Sequence, residues 1–458
     1  KTYFSYDAHG NIAWLARELP GLGRKFVRYE YDLISGKVLK VIYNEGQPDQ
    51  FFHQYVYDAD NRLRELRTSR DGKFWERDLT VGLLPDGRIR RLELGEDKLQ
   101  GLDYVYGVSM NLKAVNHPEL DPTRDPGRDG KGNGFARDVF GMQLNRYPGD
   151  YAHASHSMLP DLEAQNELYG GKVTEQISRV RGAGLGAPAL GQAYRYDEAG
   201  RLVSANSYSA ISAGFVPTDD FKTEFSYDGN GNLLSLNRNA TRQALPATNG
   251  SMDRLQYHYQ NVAGRPSNRL DYIQDAVSTP AADFDLDSQS PGNYSYDVSG
   301  RLLRDNAAGI TEIDWNHRDL IDTYSRDDGL KISLKYGPDG HREQQALKGG
   351  GNERRNTHYV RGAGGEVLAI YESTRASETA QQVEIPLHAG HRIGLYKPSA
   401  EFAEDETGAL PEGLQARRYR RVLDHRQYEI KDHLNNVRAV IGDAKHPIAQ
   451  GNFEVKTL

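Results

Sequence analysis

Tyr194-Arg195-Tyr196-Asp197-Glu198-Ala199-Gly200-Arg201-Leu202 is one copy of a phrase that recurs along the chain, and its reading decides the fold. The phrase is an aromatic, any residue, Tyr and Asp, then two or three residues, then Gly or Asn, a polar residue and an aliphatic. It stands at Phe4-Ser5-Tyr6-Asp7 with Gly10-Asn11-Ile12, at Tyr29-Glu30-Tyr31-Asp32 with Gly36-Lys37-Val38, and at Tyr55-Val56-Tyr57-Asp58 with Asn61-Arg62-Leu63. It returns at Phe225-Ser226-Tyr227-Asp228 with Gly231-Asn232-Leu233 and at Tyr294-Ser295-Tyr296-Asp297 with Gly300-Arg301-Leu302. Degenerate copies sit at Tyr257-His258-Tyr259-Gln260 and Tyr336-Gly337-Pro338-Asp339-Gly340. Two aromatics at i and i+2 share one face of a strand. The Asp side chain bonds backbone two residues on, and the Gly supplies a positive φ at the end of the turn. The aliphatic then starts a returning strand, which completes a hairpin. A lone hairpin is marginal, so hairpins of this kind must add to neighbours in a long sheet. Apolar residues at helical spacing over long windows are absent. The expected fold class is all-β, built from tandem hairpins.

Hairpin-like sequence also fills the intervals, around Asp71-Gly72 and Asp86-Gly87. The rhythm breaks at Pro118 to Gly134 (PELDPTRDPGRDGKGNG), a turn-rich loop, and Asp150 to Gly171 is expected to hold a short helix or loop. The organisation expected is hairpins over 1–117, a loop-rich insertion over 118–171, and hairpins again over 172–372. An irregular segment follows over 373–427, and a distinct C-terminal segment over 428–458. The polar insertions read as surface loops on one continuous sheet rather than as linkers.

Composition agrees. The 458 residues are only 37% hydrophobic, yet carry 28 Tyr and 13 Phe. The mean hydropathy of -0.73 argues against one deep core, and the aromatics argue against disorder. Tyr buries a ring while keeping its hydroxyl at a wet edge, which suits thin sheet. The 47 Gly follow no period of three, which excludes collagen. A net charge of -7 on well-mixed charges gives no basic stripe, so no nucleic-acid partner is expected. No apolar run is long enough for a membrane span. The absence of Cys excludes disulfide and thiolate chemistry and fits a secreted bacterial protein. Starting at Lys1 with strand-like sequence, the chain reads as a piece of a longer polypeptide, any targeting signal lying outside it.

The Tyr-Asp-x-x-Gly-Arg-Leu phrase is the hallmark of YD repeats, and the chain resembles the RHS-repeat family through most of its length. Leu94 to Tyr104 (LGEDKLQGLDY) and Phe135 to Gly141 (FARDVFG) look like blocks of large bacterial RHS proteins. His391 to Tyr396 (HRIGLY) and Tyr428 to Val440 (YEIKDHLNNVRAV) look like the start of the RHS-associated core, with Asp432, His433, Leu434, Asn436, Val437 and Arg438 as its motif. The family usually has Gly where this chain has Asn435, which also tolerates a left-handed turn. The resemblance implies a spiral β-sheet wound into a hollow shell, or part of one, at the bacterial surface or outside the cell. It implies a non-catalytic scaffold, without cofactors, that encloses or presents a C-terminal effector. Its partners would be that effector, a neighbouring shell segment, secretion machinery or other surface proteins. In toxin members the core cleaves the effector with Asp residues; that segment would lie after Leu458, so no catalytic residue is assigned. The alternative is a surface module that recognises glycans or proteins.

Each candidate site has a plainer reading. The repeat residues Tyr6, Asp7 and Gly10; Tyr31, Asp32 and Gly36; Tyr57 and Asp58; Tyr196, Asp197 and Gly200; Tyr227, Asp228 and Gly231; and Tyr296, Asp297 and Gly300 are structural. Their fixed place before a turn favours turn-capping over catalysis, and repetition removes any reason to choose two as a glycosidase pair. Recurrent aromatic pairs read as a ladder between hairpins rather than as sugar platforms. Asp121, Asp125, Asp129 and Asn133 form an oxygen-rich loop, but every-fourth spacing is not that of an EF-hand, so a solvated loop without metal is expected. His388 and His391, with His425 and His433 further on, point to opposite faces of a strand and cannot chelate unless the stretch is helical or turned, so structural or exposed histidines are expected. Gly182 to Gly191 and Gly349 to Gly351 lack the strand–loop–helix context for cradling phosphate.

Overall fold

The computed structural model describes residues 1–147, 150, 171–182, 188–212, 214–262, 264–277, 286–349, 354–374, 377, 379–398, 423, 425–448 and 452–458. They form 31 strands and one short 3-10 turn, with no α-helix among the described residues. The fold is all-β. Within each sheet every strand pairs antiparallel with its neighbours in sequence, giving an 18-stranded sheet and then a 13-stranded one. The first runs from Thr2–Tyr6 to Arg265–Asp275, the second from Tyr294–Tyr296 to Asn452–Thr457. No described helix is long and apolar enough to cross a membrane.

Because the array is a simple meander, turns that leave odd-numbered strands all lie on one rim. The repeat turns at Asp7, Asp32, Asp58, Asp197, Asp228 and Asp297 all belong to it. Register shifts by one residue at each repeat Tyr, between Ser5 and Tyr6 or between Val56 and Tyr57 for instance. Such a bulge adds twist and bends the strand, so one bulge per hairpin curves the whole sheet.

The core is unevenly distributed. Leu15, Val27, Tyr43, Phe51, Leu66, Leu99, Phe140 and Met142 from the first strands pack with Val360, Ala369, Ile385, Leu387, Tyr428, Ile430 and Ile441 from the last. Hairpins of the middle stretch, from Leu190 to Lys348, contribute almost nothing to that cluster; their own is Ala193 and Tyr208 with Phe215 against them. The chain thus leaves a two-layered region, runs through thin sheet and returns to pack on its own beginning.

Polar contacts along this closure are buried and specific. Arg426, on strand Arg426–Lys431, reaches Asp78 Oδ1 at 3.0 Å, Glu76 Oε1 at 2.8 Å and Thr68 Oγ1 at 3.3 Å. The Tyr428 hydroxyl donates to the same Asp78 oxygen at 2.9 Å. Further along, the Tyr43 and Tyr371 hydroxyls meet at 2.7 Å, Tyr371 donates to Asp49, and Arg17 pairs with Glu343 at 2.8 Å. Strand Phe140–Asn145, within the stretch expected to be loop-rich, is buried along its length and paired on both sides. The helix or loop expected for 150–171 lies almost wholly outside the described residues.

Arg426→Ala would leave Asp78 and Glu76 buried with a lost counter-charge. We expect a loss of roughly 3–5 kcal/mol in chemical denaturation. A change below about 1 kcal/mol, the size of a surface pair, would contradict a buried closure.

Candidate functional site

The repeat aspartate is an acceptor hub. Asp7 Oδ1 takes the amides of His9 at 2.8 Å and Asn11 at 2.9 Å, while Oδ2 takes the Asn11 side chain at 3.0 Å. Asp58, Asp197, Asp228 and Asp297 repeat this, with Arg62, Arg201, Asn232 and Arg301 donating to the second oxygen. That explains the polar residue after the Gly: it closes the turn from outside. Gly10, Gly200, Gly231 and Gly300 hold positive φ, and Asn61 does the same at 60°. Asp32 spans one residue more, its Oδ1 held by the Ser35 amide and hydroxyl. These donors hold the carboxyls of Asp7, Asp32, Asp58, Asp197, Asp228 and Asp297 below the usual range.

The repeat tyrosine joins one hairpin to the one before. Its hydroxyl donates to the carbonyl of the residue that opens the earlier return strand: Tyr31 to Ile12 at 3.0 Å, Tyr57 to Val38 at 3.0 Å, Tyr227 to Leu202 at 2.9 Å. Tyr259 reaches Leu233 at 2.8 Å, and Tyr336 reaches Ile321 at 3.0 Å. Tyr196 reaches Val173 at 2.8 Å. Tyr296 bonds Leu270 at 3.0 Å and so carries the lock from the first sheet to the second. The capping arginine of one turn also covers the next aromatic: Arg201 lies over Tyr227 at 4.8 Å and Arg301 over Trp315 at 5.8 Å. Hydroxyl–carbonyl bonds and cation–π contacts thus join neighbouring hairpins, and the rings of Trp14 and Phe26 meet across paired strands at 5.3 Å. The ring pairs Tyr29–Tyr31 and Phe225–Tyr227 lie within single strands.

Several copies escape the sequence phrase. Asn316 receives the amides of Arg318 at 2.9 Å and Leu320 at 3.2 Å, Asp319 takes the left-handed place, and Trp315 Nε1 donates to Leu302 O at 2.8 Å. Leu84, Gly107 and Gly362 open turns of the same backbone pattern at the place that Asp takes in the repeat. A Gly or Asp three residues on from the turn's first residue was an available signal at Leu84, Asn316 and Gly362, but at Gly107 the left-handed place is taken by Met110. At the start of the core motif, Asp432 accepts from the Leu434 and Asn436 amides and from the side chains of Asn436 and Arg438, with Asn435 at φ 64°. It is a repeat turn with Asn in the Gly place. His433 is half-buried, whereas the Leu434 and Val437 side chains face solvent.

The loop 118–139 is not the solvated loop expected. Asp125 is 3% exposed and Asp129 is fully buried. They meet Asp103 from the preceding hairpin, the three carboxylates offering oxygens within 4.8 Å of one another. Arg91 bonds Asp103 and reaches both Asp129 oxygens at 2.9 and 3.0 Å. Asp138 lies behind, its Oδ1 taking Gln100 at 2.8 Å and Asn116 at 3.1 Å. Burial, only partly offset by Arg91, pushes Asp103 up to about 7. Burial and neighbouring carboxylates also raise Asp125 and Asp138. Asn133 turns its amide nitrogen to Asp129 Oδ1 at 3.0 Å, and Asp121 stays outside, capping Thr123 at 2.8 Å. Asp103, Asp138 and Arg91 could not be joined to this loop from spacing, because pairing of the sheet brings them in.

The histidines do not converge: this carboxylate trio is the metal-compatible group among the described residues. His388 Nε2 meets Val367 O at 2.9 Å, and His425 Nδ1 meets Lys397 O at 2.7 Å. The glycine-rich segments at 182–191 and 349–351 fall largely outside the described residues.

No family model and no curated protein matches the chain. Solved structures do. TcdB2-TccC3 matches with a TM-score of 0.60 and 13% identity over 99% of this chain and 21% of that one. The form without its hypervariable C-terminal region gives 0.59 and 13%, over 99% and 20%. The chain shares this fold. The Tc holotoxin pore of Photorhabdus luminescens gives 0.60 and 14%, over 100% and 20%. This chain therefore spans about a fifth of the length of the chains it matches.

Two measurements check the site's physics. Tyr196→Phe should cost about 1 kcal/mol for the lost hydroxyl bond. Tyr196→Ala should cost on the order of 2 kcal/mol, since ring packing and the Lys172 contact go too; melting equal to wild type would contradict the lock. The pH dependence has two opposite arms. Repeat aspartates, lowered by folding, stabilise above about pH 4 and lose that contribution as pH falls through their folded values. Asp103, raised by folding, stabilises fully below about pH 4 and loses that contribution as pH rises through about 7. Melting temperature in metal-free buffer should therefore peak between these limits; a monotonic rise to pH 8 would contradict it.

Proposed function

We propose that this chain is a non-catalytic wall segment of an RHS/YD-repeat shell, secreted or displayed at a bacterial surface. The observation that carries the reading is the closure of the array on itself. Thin sheet runs between two regions that pack together through Leu15, Phe51, Val360 and Ile430, and Arg426 is buried on Asp78. The curvature supplied by one bulge per hairpin supports it, as does the fold likeness to TcdB2-TccC3. Such a wall encloses or presents a C-terminal effector, or joins a larger secretion or surface assembly, and it needs neither cofactor nor catalytic group. Repeat aspartates accept turn amides on one oxygen and, in most copies, an Asn or Arg side chain on the other, which supports a structural role for them.

A second reading, a surface module for glycans or proteins, draws on the apolar residues exposed at turn tips. Leu33, Ile34, Val108, Met110, Val298 and Leu434 all lie on the repeat-turn rim. Single-particle electron microscopy of the full-length protein separates the two. The wall predicts a hollow, protease-resistant particle; a filled globule or a flexible rod contradicts it. Strong, saturable binding on a glycan array without a hollow particle would favour the module instead.

A further inference from the structure

The loop 118–139 holds more negative charge than a wall needs. Asp103, Asp125, Asp129 and Asp138 are 8%, 3%, 0% and 3% exposed, and the guanidinium of Arg91 bonds only Asp103 and Asp129 among them. Four carboxylates against one guanidinium leave an excess of three negative charges when all are ionised. The second observation is an orphan. Asp125 Oδ2 receives the Asp129 amide at 3.3 Å, but Asp125 Oδ1 is buried without an N–H donor, and the side-chain neighbour of Asp125 is another carboxyl, that of Asp138. Leaving a buried carboxylate oxygen without a donor costs on the order of 1–3 kcal/mol or more, and such groups are rare in folded proteins.

The backbone is shaped to admit this crowd. A β-carbon on Gly101 would overlap Asp129 and Arg91, and one on Gly127 would overlap Arg91 and Asp103. Asn133 bonds Asp129, the Arg91 guanidinium bridges Asp103 and Asp129, Gln100 and Asn116 hold Asp138, and the Asn133 amide also ties Gly127 O at 3.0 Å. These are the supports that fix ligand carboxylates around an ion. The donors are hard oxygens without imidazole or thiolate, which excludes a zinc or copper preference. Oxygens opposite one another on Ca²⁺, at Ca–O distances of about 2.3–2.6 Å, lie roughly 4.6–5.2 Å apart. The three carboxylate oxygens fit that reach, lying within 4.8 Å of one another.

We propose that Asp103, Asp125 and Asp129 bind a divalent cation of the calcium class, with the orphan oxygen of Asp125 as a ligand. The ion pins the 118–139 loop to the sheet, and that loop in turn docks the last strand. Ala136 bridges Phe453, the Arg137 amide donates to Phe453 O at 2.9 Å, and Lys445 caps Gly134 O at 2.8 Å. The site is independent of the shell reading: a cation would bind here whether the particle is hollow or not.

The test is calorimetric titration of chelator-treated, metal-free protein with CaCl₂ at neutral pH, paired with thermal melting. Binding of about one Ca²⁺ per chain, with a melting temperature that rises with its concentration, is expected. Asp125→Asn should weaken binding by about tenfold or more, while Asp121→Asn, outside the cluster, should leave it unchanged. Absence of heat and of any melting shift up to millimolar Ca²⁺ would overturn the proposal and leave a proton shared between Asp125 and Asp138 as the occupant. Binding that survives Asp125→Asn would overturn it too. Should Asp125→Asn fail to fold, elemental analysis of wild type dialysed against micromolar calcium decides: about one calcium per chain supports the site, and less than about a tenth overturns it.

Discussion

A hydroxyl bonded to a carbonyl one hairpin away is the interaction on which the rest of this structure depends. Backbone ladders hold any meander together, but they do not fix how one hairpin sits on the next. The repeat tyrosine does, because its ring lies over the neighbouring turn and its hydroxyl ends on the carbonyl that opens the earlier return strand. The bonds from Tyr31 to Ile12, Tyr227 to Leu202 and Tyr296 to Leu270 are the same bond made in different hairpins. Each contributes about 1 kcal/mol net, yet the geometry they repeat sets a common bulge and a common direction of curvature. A wall with little buried interior can keep a defined shape only through a device of this kind.

The two ends of the array use a different principle. Where the last strands return to the first, charges are taken out of water and paired, each arginine with two carboxylates: Arg426 with Asp78 and Glu76, Arg17 with Glu343 and Asp339. Such pairs add little net stability but penalise any other register severely. The closure is therefore specified by polar residues and held by the apolar cluster around them, a cluster to which the thin middle does not contribute. The acidic loop stands beside the closure through the bridge between Ala136 and Phe453. There four buried carboxylates face one guanidinium.

Much of this was legible in the residues. Asp-x-x-Gly after paired aromatics carries its own turn chemistry, so the hairpins at Asp7, Asp197 and Asp297 follow from local physics. The reading of Asn435 as a left-handed substitute for Gly follows the same way, and its φ of 64° agrees. The hydroxyl lock was not legible, because a Tyr in sequence does not reveal which carbonyl it will face about 20 residues earlier. Neither was the turn at Asn316, where an amide does the work of a carboxylate and Trp315 that of Tyr. The loop failed for a related reason. Spacing alone makes Asp121, Asp125, Asp129 and Asn133 equivalent, but the fold buries Asp125 and Asp129, leaves Asp121 outside, and adds Asp103 and Asp138 from other strands. Burial and cross-strand assembly are tertiary facts that periodicity does not encode.

Hydrogen exchange followed by mass spectrometry, comparing wild type with Tyr227→Phe, tests the hairpin lock most directly. If the hydroxyl fixes each hairpin on the one before, exchange should quicken around residues 196–206 and 221–233 and stay unchanged in the strands before residue 145. Unchanged protection at both places, or loosening spread evenly over the whole array, would contradict the lock.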